Sequence, residues 1–214
     1  MAILSSEEIR ARLEPFVVPF TTTIELSDSL VDQVSTYLDL LVRWNARVSL
    51  TAIRRPEEMI ERHFGESLFT AGHLATRLTR GAELLDYGAG PGFPGLPIQM
   101  ALPSLRVTVA ESQAKKVAFL REVIRTLGLP ADVWPRRVEE MPSAQRFDAL
   151  TLRAVEKMET AIEAGAQRVR DGGWIVALVG DRLNLPAGEE FAIPRSERRR
   201  LVLWRNVPRG TLVH

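Results

Sequence analysis

Leu84-Leu85-Asp86-Tyr87-Gly88-Ala89-Gly90-Pro91-Gly92-Phe93-Pro94-Gly95 carries an apolar run into a loop with glycine at every second position from 88 to 92. The run predicts a strand and the loop a strand-to-helix turn. Glycines there permit positive φ and let a ligand approach the backbone closely. The spacing separates ligand classes. A dinucleotide fingerprint, G-x-G-x-x-G, begun at Gly88 needs glycine at position 93, where Phe93 stands. Asp86 beside the loop would repel a pyrophosphate and attract ammonium and sulfonium charges. D-x-G-x-G-x-G therefore reads as a site for S-adenosylmethionine.

Working outward, strand and helix patterns alternate after Gly81, which predicts a mostly parallel sheet with helices on both faces. Strands are expected at Leu84–Tyr87, Arg106–Ala110, near Val133, at Phe147–Leu152 and at Trp174–Val179. The last of these is entered through a turn at Asp171-Gly172-Gly173. Helices are expected at Pro94–Ala101, Lys115–Leu127 (stopped by Gly128) and Val155–Arg170. Glu190–Ile193 and Leu201–Arg205 read as an antiparallel hairpin at the sheet edge. Before Gly81 the pattern is helical. Ser5 with Glu8 forms a capping box for a helix ending near Pro15, Ser27 caps a helix to about Arg47, and Pro56 opens one towards Leu68. Residues 1–80 are thus expected as a helical extension on a core of residues 81–214.

Composition narrows the function. The 214 residues are 45% hydrophobic and 26% charged, an ordinary globular balance. With no long apolar run and charged Glu7, Glu8 and Arg10 near the start, a cytoplasmic protein off the membrane is expected. Zero cysteines exclude disulfides, cysteine-ligated zinc and a cysteine nucleophile, and no metal site is expected. The net charge of +1 confines any RNA contact to local patches. One lies at the end, where Arg195, Arg198, Arg199, Arg200, Arg205 and Arg209 face Glu197 alone. A weaker one runs through Arg43, Arg47, Arg54, Arg55 and Arg62, opposed by Glu57, Glu58 and Glu61, with His63 beside it.

Glu111 ends the second strand at the distance from Gly88 where nucleotide-binding sheets place an acid for ribose hydroxyls. Arg153 follows the fourth strand, at the edge where open α/β sheets bind ligands. Two absences narrow the reaction. Thr151-Leu152-Arg153-Ala154 stands where methylation of an exocyclic amine usually calls for an Asn/Asp-Pro-Pro-aromatic loop. A pyrimidine-carbon methylase would need a cysteine. A purine N7 has an in-plane lone pair and no proton, so it can attack a sulfonium methyl without a general base.

Three blocks together resemble a known family over most of the chain. They are Trp44-Asn45 with Leu50-Thr51, Arg54, Glu58-Met59 and Arg62-His63; the glycine loop from Asp86 to Pro97; and Glu111-Ser112 with Lys115-Lys116 and Phe119-Leu120. The sequence looks like the glucose-inhibited division protein B family, or RsmG, the bacterial 16S ribosomal RNA guanine-N7 methyltransferases. The resemblance implies a class I, Rossmann-like methyltransferase sheet with an antiparallel C-terminal edge strand. It implies S-adenosylmethionine contacts at Gly88, Phe93, Val138, Glu139 and Arg153, with Asp86, Gly90 and Glu111 beside them. Arg153 is the expected catalytic residue. The implied partner is 16S rRNA or the small ribosomal subunit, met by Arg54, Arg62, His63, Lys115, Arg199 and Arg200, with no obligate protein partner. The chain departs from the family pattern at Leu152, usually serine, and at Val179, usually lysine.

Overall fold

The computed structural model describes residues 2–154, 158–180 and 185–207. Among them, seven strands form one sheet: β1 (Glu83–Tyr87), β2 (Arg106–Ala110), β3 (Asp132–Trp134), β4 (Phe147–Arg153), β5 (Val169–Gly180), β6 (Glu189–Ala192) and β7 (Arg199–Arg205). Their order is β3-β2-β1-β4-β5-β7-β6. Strands β1 to β5 are parallel, and β7 runs antiparallel to both its neighbours. The chain builds outward from β1 through β2 to β3, then returns to lay β4 against the other side of β1. That reversal leaves a crevice at the carboxyl ends of β1 and β4, where such sheets bind ligands.

Alternation along the strands divides the core between two faces. Leu84, Val107, Val109, Ala149, Val176, Leu201 and Leu203 lie under α1 (Ser6–Val17), α2 (Asp28–Asn45), α4 (Glu66–Ala75), α5 (Gly95–Ala101) and α6 (Ala114–Leu127). Leu85, Leu150, Leu152, Ile175, Ala177 and Val179 point the other way, towards α7 (Met158–Ala166). The N-terminal helices therefore share one continuous core with the sheet. Both faces being covered explains the unbroken apolar runs of β4 and β5.

Local chemistry sets most boundaries. The Ser5–Glu8 capping box is formed, Ser27 accepts from the Leu30 N–H, and Gly128 stops α6 in the left-handed region at φ +61°. Elsewhere tertiary packing decides. Helix α1 continues past Pro15 because Phe16 and Val17 are buried beyond it, and Phe16 packs on Gly65, where a Cβ would lie 2.6 Å from its ring. The expected Pro56 helix is longer than its pattern suggested. It runs from α3 (Pro56–Met59) through a π-helical stretch, Ile60–Gly65, into α4.

Three expectations need correcting in detail. Asp171-Gly172-Gly173 is a bulge inside β5, marked by a register shift against β4, and the strand begins at Val169. Helix α7 accordingly ends at Ala166, while the expected start at Val155 lies outside the described residues. The C-terminal hairpin stands at the sheet edge, but its outermost strand is β6. Strand β7 is enclosed because Leu201, Val202, Leu203 and Trp204 are all buried, whereas Glu189 and Glu190 suit an edge. No helix among the described residues is long and apolar enough to cross a membrane.

Candidate active site

The glycine loop joins β1 to α5, and its three alternating glycines all take positive φ: +63° at Gly88, +57° at Gly90 and +96° at Gly92. Their surroundings differ. A Cβ on Gly90 would meet nothing nearer than the Gly88 carbonyl at 3.9 Å, so this position faces open space. A Cβ on Gly92 would lie 2.3 Å from the Tyr37 hydroxyl, and one on Gly95 would lie 2.8 Å from the Asp86 carboxylate. Gly90 clears the way for a ligand; Gly92 and Gly95 clear the way for the protein itself. Asp86 belongs to that internal framework. It is fully buried, with Oδ2 accepting from the Gly95 N–H at 2.9 Å and Oδ1 accepting from the Thr151 hydroxyl at 2.8 Å. Burial pushes its pKa up to about 7, against the opposing pull of those two hydrogen bonds and of Arg153. The sequence-based expectation that Asp86 faces the donor is thus replaced by a role in holding the turn from within.

A cavity of about 380 Å³ opens beside Gly88, lined by Tyr87, Glu111, Gln113, Arg137, Val138 and Glu139 among others. Glu111 is turned into place by two backbone donors: Oε2 accepts from Gly90 at 3.1 Å and Oε1 from Gln113 at 2.8 Å. Each oxygen retains a free acceptor site. Glu139 accepts from the Tyr87 hydroxyl at 2.7 Å, and Arg168 steadies the segment from below through the carbonyls of Glu139 and Pro142. Burial and the bond to Glu139 both raise the Tyr87 pKa, so its proton stays on as donor. Gly88, Gly90, Glu111, Val138 and Glu139 are therefore brought together.

Phe93 and Arg153 lie elsewhere. The Phe93 ring turns into the core, stacked between Tyr37 and His63 with centroids 5.2 and 4.6 Å away, which leaves its backbone to the loop. Arg153 projects from the end of β4 on the side of the N-terminal helices. Its Nη2 donates to His63 Nδ1 at 3.1 Å and sits 3.6 Å from Glu66 Oε2. Glu66, only 1% exposed, also holds Arg199 Nε at 2.7 Å and Arg62 Nε at 3.3 Å on Oε1. Because an arginine can only donate, His63 Nδ1 accepts, and Nε2–H donates to the Thr51 hydroxyl at 3.0 Å. Burial, then the charges of Arg153 and Arg62, holds His63 well below its ordinary pKa. It is neutral, with both nitrogens engaged.

The expected RNA contacts divide accordingly. Arg54 and Lys115 are exposed. Arg62 and Arg199 are half-buried on Glu66, and Arg200 pairs with Glu190 at 2.7 Å. His63 is a correction: its ring is buried against Phe93 and forms no outer surface. Arg209 lies outside the described residues. Val179 is buried on the α7 face, so the family's usual lysine leaves no charge there. Two residues escape a reading of the sequence. Tyr37 stands on the apolar stripe of α2, and Glu66 stands four places after Arg62, the one signal that could have found it.

Comparisons with known proteins agree with this geometry. The family model described as rRNA small subunit methyltransferase G matches residues 30–190. The ribosomal RNA small subunit methyltransferase G of Stenotrophomonas maltophilia is 40% identical over 169 residues, 76% of this chain and 77% of that one. Among solved structures, a hypothetical protein of Thermus thermophilus superposes with a TM-score of 0.54 at 26% identity, over 64% of this chain and 82% of that chain. A T. thermophilus 16S rRNA methyltransferase in complex with AdoMet and guanosine shares the fold, with a TM-score of 0.54 at 22% identity over 65% of this chain and 42% of that one. With a glycine cradle and an oriented acid on one side of the crevice and a buried arginine on the other, the chain belongs to the rRNA small subunit methyltransferase G family.

Proposed function

We propose that the chain transfers the methyl group of S-adenosylmethionine to N7 of a guanine in 16S ribosomal RNA, working in the cytoplasm. The observation that carries this reading is the cradle formed by Gly90 and Glu111. The glycine leaves open space over its backbone, while its N–H orients a carboxylate that keeps acceptor capacity for two vicinal hydroxyls. The residues present therefore fit the donor. When bound, it supplies a methyl group made electrophilic by the sulfonium.

The protein's part is positional. Gly88 and Gly90 admit the nucleoside, Glu111 takes its ribose, and Val138 and Glu139 flank its adenine. Asp86 and Thr151 hold the loop from inside. Guanine N7 loses no proton when it attacks, so no general base is needed. The neutral, fully engaged His63 suits this, because its ring orients Arg153 and has no nitrogen free to take a proton. Arg153 serves by charge and orientation, Arg54 and Lys115 by attracting the RNA backbone. N7 lies in the deep, narrow groove of A-form helices, so the target guanine is read in a loop or extruded.

Two measurements test this. Calorimetry should show binding of S-adenosylhomocysteine and not of NAD. Methyl transfer from labelled donor to 16S rRNA, followed by nucleoside analysis, should place the label in 7-methylguanosine. Label in adenine or a pyrimidine would refute the N7 assignment.

A further inference from the structure

We propose that Glu66 is a positioning residue, and that the Arg62, Arg153 and Arg199 side chains gathered on it form a binding site for one backbone phosphate of the RNA beside the target guanine. The proposal rests on the RNA methyltransferase reading above and deepens it. Its observation is one almost fully buried carboxylate reached by three guanidinium groups, at 2.7, 3.3 and 3.6 Å, from three separate parts of the chain. Arg62 comes from the π-helical stretch, Arg153 from the end of β4 and Arg199 from β7.

Without a carboxylate at their centre, three like charges would not remain together. With it they keep a formal excess of two positive charges, or one if the exposed Glu58, 3.7 Å from Arg62, is counted. Donor capacity is also left over. Arg153 Nη1 is buried without a hydrogen-bond partner among the described residues, whereas Arg62 Nε and Arg199 Nε are turned to Glu66 Oε1, so that any ligand meets the outer ends of those two forks. His63 occupies one edge of Arg153 through Nη2, which fixes the guanidinium while Nη1 stays unpaired at the buried end of the cluster. Exposure is graded: the Arg153 side chain is 11% exposed, Arg199 25% and Arg62 35%, so the site has a floor and a mouth.

A phosphodiester suits this arrangement, with one negative charge on two oxygens that arginine forks can bind. The carboxylate of the methyl donor is the competing source of such chemistry. It stands beside the donor's own ammonium, which the positive excess would repel. The cavity at Glu111 is lined without any of the three arginines.

The test uses the full chain saturated with S-adenosylhomocysteine, and fluorescent 16S rRNA fragments with a single methylphosphonate at each position around the methylated guanine. At one position the neutral linkage should weaken binding by roughly tenfold, the worth of one charge-assisted contact. The same linkage should make little further difference to Arg199→Ala, because the contact is already lost. Glu66→Gln removes a negative charge, so its RNA affinity should hold or tighten while its kcat falls roughly 10- to 100-fold through misplacement. Glu66→Asp should recover part of that loss. A purely structural role would lower Tm and leave kcat of the folded protein unchanged. Effects of methylphosphonate and Arg199→Ala that simply add, or no sensitive position at all, would overturn the proposal. So would a loss of S-adenosylhomocysteine affinity in Glu66→Gln without phosphate coupling, which would assign the cluster to the donor. If the coupling appears and the unmutated chain methylates no guanine N7, the phosphate site stands and the functional reading falls.

Discussion

Gly92 and Tyr37 exclude any atom between them: a Cβ on the glycine would lie 2.3 Å from the phenolic oxygen, which donates to the Pro91 carbonyl at 2.5 Å. Gly92→Ala must therefore displace a fully buried ring as well as accept φ +96°, at a combined cost of about 2–4 kcal/mol. Gly90→Ala meets open space and costs only the left-handed backbone, about 1–2 kcal/mol. Urea unfolding should rank Gly92→Ala as the more destabilised. Calorimetry with S-adenosylhomocysteine should show Gly90→Ala losing affinity beyond what its stability loss explains. Equal stability losses would contradict the packing argument.

Asp86 should make stability fall as pH rises. Its folded pKa, about 7, is above its ordinary 3.8, so the folded state holds a proton that the unfolded chain has lost between these values. This contribution is complete below about pH 4 and is lost as pH rises through about 7. His63 acts with the opposite sign. Its folded pKa is depressed, so its contribution is present above about pH 6.5 and is lost as pH falls below that. The difference in unfolding free energy between the unmutated chain and Asp86→Asn cancels the histidine. That difference should move in favour of the asparagine by a few kcal/mol between about pH 5 and 8, since each tenfold change in proton affinity is worth about 1.4 kcal/mol. Parallel curves would show that Asp86 ionises normally.

Arg153→Ala should lower kcat by roughly 10²-fold, and Arg153→Lys should recover little, because charge without the fork loses orientation. With donor and RNA saturating, the pH–rate profile should keep its shape in Arg153→Lys, while in Arg153→Ala any inflection due to Asp86 should move to higher pH, because the arginine charge that opposes the effect of burial is gone. Any inflection near neutrality should vanish in Asp86→Asn and persist in His63→Ala. An inflection abolished by His63→Ala would show that the imidazole acts as a base.

Arg54→Ala and Lys115→Ala remove exposed cations without touching the glycine cradle. Each should reduce the slope of log affinity for 16S rRNA against log salt by about 0.7–0.9 and leave S-adenosylhomocysteine binding unchanged. Arg200→Ala should change that slope less, since Glu190 already neutralises part of its charge at 2.7 Å. A slope unaffected by all three would move the RNA to another face.

What could be read in advance was what short-range pattern encodes. Strand β2 has the bounds its alternating Val107 and Val109 require, and Gly128 ends α6 where a left-handed cap was expected. The cradle was legible too, since Gly88, Gly90 and Glu111 flank two adjacent parallel strands. Contacts across distance were hidden. Gly92 is explained by Tyr37, 55 positions earlier, and the burial of Asp86 depends on Thr151 arriving on β4. The four-residue spacing of Arg62 and Glu66 puts them on one helix face, but nothing in it tells that this face meets Arg153 at the end of β4. Nor does a strand's own sequence state its lateral place. The four consecutive buried residues of β7 were the available hint that it lies inside the sheet.

The lateral place of β7 has a consequence beyond the sheet. Made last of the described strands, it nevertheless fits between β5 and β6, and its first residue is Arg199. Without that strand β5 has an open edge and Glu66 keeps only Arg62 and Arg153. Closing the sheet between β5 and β6 and bringing the third arginine to Glu66 thus depend on the same strand. Leu201 and Leu203 of that strand also belong to the core shared with the N-terminal helices, so one element joins the packing of the fold to the arginine cluster at its edge.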